Sequence, residues 1–197
     1  MVSLIVPSVL VDHWFEKTKV AAVVEISTLI GLTAISAQIA IYLPFTPVPL
    51  TLQTFVILLG AATVGAQRAA IAQFFYLTLA LAGLPIMADG QGGLSAVYGA
   101  TSGYLMGFIF ASLAVGYAAN KYSTHKFKHV FFSYVVGSTI IYFFGVIGLA
   151  LYAQISIITA LTIGVLPFII GDIAKAIAAG LLLPSAWKLT EKLRKSN

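Results

Sequence analysis

The chain has 197 residues, 60% hydrophobic and 9% charged, with no cysteine, and its mean hydropathy is +1.01. Soluble domains carry about 25% charged residues, so this composition excludes a water-soluble globule, and the lack of cysteine excludes a disulfide framework or a thiolate metal site. The formal charge of +5 becomes informative only once the basic residues are placed along the chain.

Residues 1–19 hold an apolar run with no basic residue before it and no small-residue cleavage pattern after it, so a cleaved signal is not expected. They read as an N-terminal interfacial extension, with Trp14 and Phe15 at headgroup depth and Asp12, His13 and Glu16 in water. A membrane span needs about 20 largely apolar residues, and six segments fit or approach this: roughly 26–43, 51–64, 69–87, 101–119, 130–153 and 166–186. They read as one transmembrane domain over 20–187, followed by a basic tail at 188–197.

In the first span, Thr33 with Ala37 and Ser36 with Ala40 form a small face whose partner is either another helix of this chain or another subunit. Glu25 sits at the start of this span near Lys19, where it can reach the interface. The second span is short and is entered through Pro44, Pro47 and Pro49, which predicts irregular backbone dipping into the protein interior. The fourth carries Gly99, Gly103, Gly107 and Ala111 at intervals of four, a pattern for close helix packing.

Ten of the eleven Lys and Arg residues fall before the first span, between the second and third, between the fourth and fifth, or after the sixth. The alternate connections, 42–50, 88–100 and 154–165, contain none. By the positive-inside rule, both termini are cytoplasmic. The fold class expected is therefore an all-α integral membrane protein with six transmembrane helices. The basic clusters lack a folded soluble reader, so no nucleic acid is expected, and anionic membrane lipid accounts for them.

The eleventh is Lys175, in the middle of the last span, three residues after Asp172. Intramembrane charges cost a few kcal/mol and face a cavity or a partner rather than lipid. The spacing puts both on one helix face, roughly 10 to 15 Å from the outer start of their span. Asp172 can accept N–H bonds and Lys175 can donate to an oxygen, a combination suited to an amide-like solute. An internal ion pair is the competing reading, although apolar residues of like volume often hold helices as well.

The outer loop ADGQGGLSAVYGATS at 88–102 is glycine-dense and reads as a mobile lid that brings backbone amides to a ligand. Gln91, Gly92 and Gly93 are its candidate contacts, with Tyr98 and Tyr104 adding aromatic surface; Thr51 and Gln53 face it from the proline-rich connection. Asp89 reads as an exposed carboxylate. No GxxxxGK[ST], HExxH or GxSxG motif occurs, so ATP hydrolysis, metal hydrolysis and acyl transfer have no support. Asp172 lacks the second deep carboxylate that an aspartyl protease requires.

Three stretches carry a resemblance: TPVPLTLQT at 46–54, GLPIMADGQGGLSAVYGATSGYLMGF at 83–108 and GDIAKA at 171–176. From Glu25 onward the chain resembles the BioY family, the biotin-specific substrate-capture (S) components of energy-coupling factor (ECF) transporters. The resemblance implies a six-helix S component in the bacterial cytoplasmic membrane that binds biotin from outside and delivers it inward, toppling in the bilayer as it does so. It implies a transmembrane coupling protein and two ATPase subunits as partners, no enzyme activity and no cofactor. The family's last-helix aspartate and lysine map onto Asp172 and Lys175, with Asp172 accepting ureido N–H and Lys175 donating to the ring oxygen or, alternatively, to the valerate carboxylate. Two positions depart from the family pattern. The first helix has Thr33/Ala37 and Ser36/Ala40 in place of an Ala-x-x-x-Ala docking motif, and Asp89 stands where a small or neutral residue is expected. Two other readings rank behind this one: a proton-coupled secondary carrier of another small solute that uses Asp172 and Lys175, and an assembly subunit.

Overall fold

The structure, a computed structural model, describes residues 9–13 and 18–196, without the side chains of His13 and of 194–196. Helices make up most of it. Thr18 caps α1 (Lys19–Ala37) by accepting a hydrogen bond from the Ala21 amide at 3.1 Å. The chain then forms β1 (Ala40–Ile41), turns through the prolines and returns as β2 (Leu50–Thr51), with Ala40 opposite Thr51 and Ile41 opposite Leu50. Proline cannot donate to a ladder, which limits this ribbon to two residues a strand. It leads directly into α2 (Gln53–Val64), a helix of about 18 Å at 1.5 Å per residue. The irregular entry to the second span is thus an antiparallel ribbon, extended by a hydrogen bond from the Leu52 amide to the Ile39 carbonyl at 3.1 Å.

Gly65, at φ +88°, makes the turn into α3 (Ala66–Leu81), a conformation that costs glycine little. The third apolar segment stops being helical well before Met87, because Gly83 adopts φ +97° and Pro85 follows. A 3-10 turn (Ala88–Gly90) and a short α4 (Leu94–Val97) lead into α5 (Ser102–Lys121), which is followed by α6 (Phe127–Ala153). The connection at 154–165 is not a plain loop but contains α7 (Ile157–Gly164), capped by Ser156, which accepts from the Thr159 amide at 3.1 Å. A 3-10 turn (Leu166–Phe168) opens α8 (Ile169–Ser196), which continues past Pro184 through the basic segment.

Among the described residues, four helical stretches are long and apolar enough to cross a membrane: α1, α5, α6 and the stretch 157–193, which joins α7 to α8. Large apolar side chains face outward, among them Val20, Ile35, Phe143 and Ile170, as a lipid-facing surface requires. Tyr76, Ile57, Leu58, Ile141 and Leu149 fill the centre. The α5–α6 seam depends on missing side chains. A Cβ at Gly103 would strike the Phe144 carbonyl, and one at Gly107 would lie 2.9 Å from the Ile141 Cα. Thr33, Ser36 and Ala37 are buried within this chain, with Gln73 of α3 donating to the Thr33 hydroxyl at 3.3 Å. That small face therefore packs internally.

Every described Lys and Arg except Lys175 gathers at one end of the bundle. Contacts between elements define this end: Trp187 Nε1 donates to Thr124 Oγ1 at 2.7 Å, and Glu191 lies 3.4 Å from His125. Two expectations fail here. The Asp12 side chain is only 7% exposed rather than in water, and Glu25 turns to Arg68 rather than toward Lys19 and the interface. Arg68 Nη1 donates to Asp12 Oδ1 at 2.8 Å and lies 2.9 Å from Glu25 Oε2, off the hydrogen-bond direction. A carboxylate taken out of water needs a partner, and Arg68, at the start of α3, serves both. Trp14, Phe15 and Glu16 lie outside the described residues.

Candidate binding site

The opposite end holds a cavity of about 370 Å³, within the range of small-molecule pockets. The 3-10 turn before α8 places Asp172 in the first turn of that helix, where the macrodipole favours a carboxylate. One turn on, Lys175 shares its face, and Nζ lies 3.1 Å from Asp172 Oδ1. Lys175 also donates to the Thr51 carbonyl and to Thr54 Oγ1, each at 2.8 Å. All three ammonium hydrogens are thereby engaged. Tyr142 of α6 donates to Asp172 Oδ2 at 2.8 Å, and Thr54 Oγ1 lies 3.5 Å from Oδ1. The acid and the amine both line the cavity.

Gln53 lines it as well, and its Nε2 donates to the Tyr76 hydroxyl at 2.9 Å, which in turn donates to the Ile86 carbonyl at 3.0 Å. That chain ties the start of α2 to the loop after α3. Tyr104 contributes its ring; its hydroxyl is committed to the Gly164 carbonyl at 2.7 Å and so anchors the end of α7. Gln91 lines the cavity from the loop.

Gly92, Gly93 and Tyr98 are not brought to the wall. A Cβ at Gly92 would collide with the Leu84 carbonyl, and the Gly93 amide donates to the Ala80 carbonyl at 2.7 Å. Gly92 lets the loop pass close over the end of α3, and Gly93 turns it at φ +85°. Tyr98 is 67% exposed. Gln38 braces the same loop, donating to the Met87 carbonyl at 2.9 Å and accepting from the Gly90 amide at 3.1 Å. Asp89 is exposed, at φ +56°, and does not line the cavity.

Tyr142 and Thr54 were not among the residues singled out from sequence, and neither were the apolar walls Phe108, Ile141 and Phe168. A tyrosine in mid-span is the available signal for Tyr142, because a buried phenol needs a partner. The apolar walls give no signal distinct from any other core position.

Comparison with known proteins agrees over nearly the whole chain. The sequence model of the BioY family matches residues 12–192. The "Biotin transporter BioY" of Thermotoga maritima is 36% identical over 152 residues, covering 77% of this chain and 87% of the relative. The protein of the same description from Rhizobium etli is 34% identical over 149 residues, covering 72% and 79%. A crystal structure described as the S-component for biotin from an ECF-type ABC transporter aligns with a TM-score of 0.79 at 27% identity, covering 88% of this chain and 94% of that one. With a family match of this extent and relatives this similar, the chain belongs to the BioY family.

Proposed function

We propose that this chain takes up biotin as the substrate-binding subunit of an ECF-type transporter, capturing the vitamin in the cavity lined by Asp172 and Lys175. The observation that carries the reading is a buried acid and a part-buried amine, 3.1 Å apart, beside a cavity in a member of this family. The ureido ring carries N–H donors next to a carbonyl, so Asp172 accepts from the ring and Lys175 donates to its oxygen. Gln53, Gln91 and Tyr104 complete the wall; Gly92, Gly93 and Tyr98 act through the loop rather than by contact.

Six crossings of the bacterial cytoplasmic membrane follow from α1, the ribbon with α2, α3, α5, α6 and α8. The basic end lies in the cytoplasm with both termini, and the cavity opens outward. A transmembrane coupling protein and two ATPase subunits supply the energy, and the chain itself is not an enzyme. Support comes from the separation of the cavity from the basic end and from the likeness to an ECF S-component.

Calorimetric titration of the detergent-purified protein with biotin and with biotin methyl ester tests this. Tight binding of biotin is expected, and Asp172→Asn weakens it by about 1.5–3 kcal/mol, the worth of a charge-assisted hydrogen bond. Lys175→Met costs biotin and its ester equally if the lysine serves the ring oxygen; a loss confined to biotin moves it to the carboxylate. No binding in folded protein ends the proposal. Liposome uptake driven by a pH gradient without partner proteins selects the proton-coupled carrier instead.

A further inference from the structure

At the basic end of the bundle the seam between α5 and α6 opens. Near the candidate site the two helices meet backbone to backbone at Gly103 and Gly148, but lower down Gly116 of α5 faces the backbone of Ala66 in α3. The outer side of the seam is left as a groove of about 390 Å³. Its floor is apolar, with Ala114 and Ala118 from α5 and Phe132 and Val136 from α6. Both α6 side chains are exposed.

The rim toward the basic end is formed by Tyr122, Lys128 and His129, and Lys121 Nζ lies 5.4 Å from the centre of the Tyr122 ring. Among the described residues, no carboxylate lines the groove. Among the described residues, Lys121, Lys126 and Lys128 form no ion pair, and Glu191 is engaged by His125. Charge partition across a bilayer explains lysines at this end. It does not explain an apolar channel opening onto them. Lys126 and Lys128 also crowd the start of α6, which has neither a side-chain cap nor an acidic residue in its first turn. Cations there oppose the helix macrodipole, and an anion relieves both.

We propose that this groove binds an anionic diacyl phospholipid, one acyl chain lying along the floor and the phosphate resting against Lys128. The apolar floor favours a lipid over free phosphate, and basic pockets between transmembrane helices are a known setting for anionic headgroups. This assignment does not depend on the identity of the transported solute.

Native mass spectrometry tests it on the purified full chain, incubated with equimolar phosphatidylglycerol and phosphatidylcholine of the same acyl composition. One phosphatidylglycerol is retained in preference to phosphatidylcholine. Lys128→Gln lowers that preference by about fivefold, the effect of one basic side chain near an anionic headgroup. Ala118→Leu fills the floor and reduces retention of both lipids, while Lys188→Gln, outside the groove, leaves the preference unchanged. Equal retention of the two lipids overturns the proposal, as does a Lys128→Gln variant with wild-type preference. Failure to retain any lipid, the result expected of a face reserved for a partner's helix, overturns it too. If Ala118→Leu does not fold, Lys128→Gln decides alone.

Discussion

Two charge clusters are buried in this bundle, at opposite ends and in different surroundings. Arg68, Asp12 and Glu25 have side chains 23%, 7% and 8% exposed and hold the N-terminal segment, α1 and α3 together. Asp172 and Lys175, at 9% and 15%, are as deeply placed. The second cluster lines a cavity; the first lines neither of the two concavities described. Burial of charge alone therefore does not separate a clasp from a binding couple. Room for a ligand beside the charges does.

The strongest way to break this contrast is to replace each cluster and read binding and stability separately. Asp172→Leu combined with Lys175→Met removes both charges at once, which well-packed apolar pairs tolerate. Biotin heats should vanish in calorimetry while the thermal unfolding midpoint stays near that of wild type; retained binding would make the couple structural. Arg68→Met should do the reverse, because it leaves two buried carboxylates without their cation. A loss of about 3–5 kcal/mol is expected, read as a lowered unfolding midpoint in detergent, with biotin affinity unchanged wherever the protein is still folded. An undiminished midpoint would show that the clasp holds nothing.

Smaller effects sharpen the site itself. Tyr142→Phe removes the hydrogen bond to Asp172 Oδ2 and should weaken biotin by about 1 kcal/mol, roughly fivefold, in the same titration. Tyr98→Phe should change affinity by no more than about 0.5 kcal/mol. A larger loss would bring Tyr98 back to the ligand and show that the loop closes further when biotin binds.

What could be read from the sequence was what stands out along one dimension. Asp172 and Lys175 interrupt an apolar run, and the basic residues cluster visibly between spans. Relations across the chain were not legible in this way. Arg68 meets Asp12 and Glu25 only because the N-terminal segment and α1 both pack beside the start of α3. Glu25, judged by its neighbour Lys19, was placed at the interface for want of that third element. Gly92 meets the Leu84 backbone and Gly93 serves a turn at φ +85°, relations that a run of glycines does not spell out. Tyr142 was missed because a phenol among apolar residues looks like core until its hydroxyl is seen to reach Asp172. The residues of α7 are rich in β-branched side chains, which lower helix propensity, and only the Ser156 cap and the Tyr104 anchor reveal it as a helix.

The hydrogen-bond circuit around Lys175 carries one more implication. With Thr51, Thr54 and Asp172 occupying all its donors, Lys175 serves a guest's oxygen only by giving up an internal bond, whereas the Asp172 carboxylate, with about four acceptor sites, can take a further N–H. A visitor offering only an acceptor would draw Lys175 away and strand one of its internal partners, and stranded polar groups away from water are costly. Discrimination against look-alikes thus comes from the bonds that the protein makes to itself.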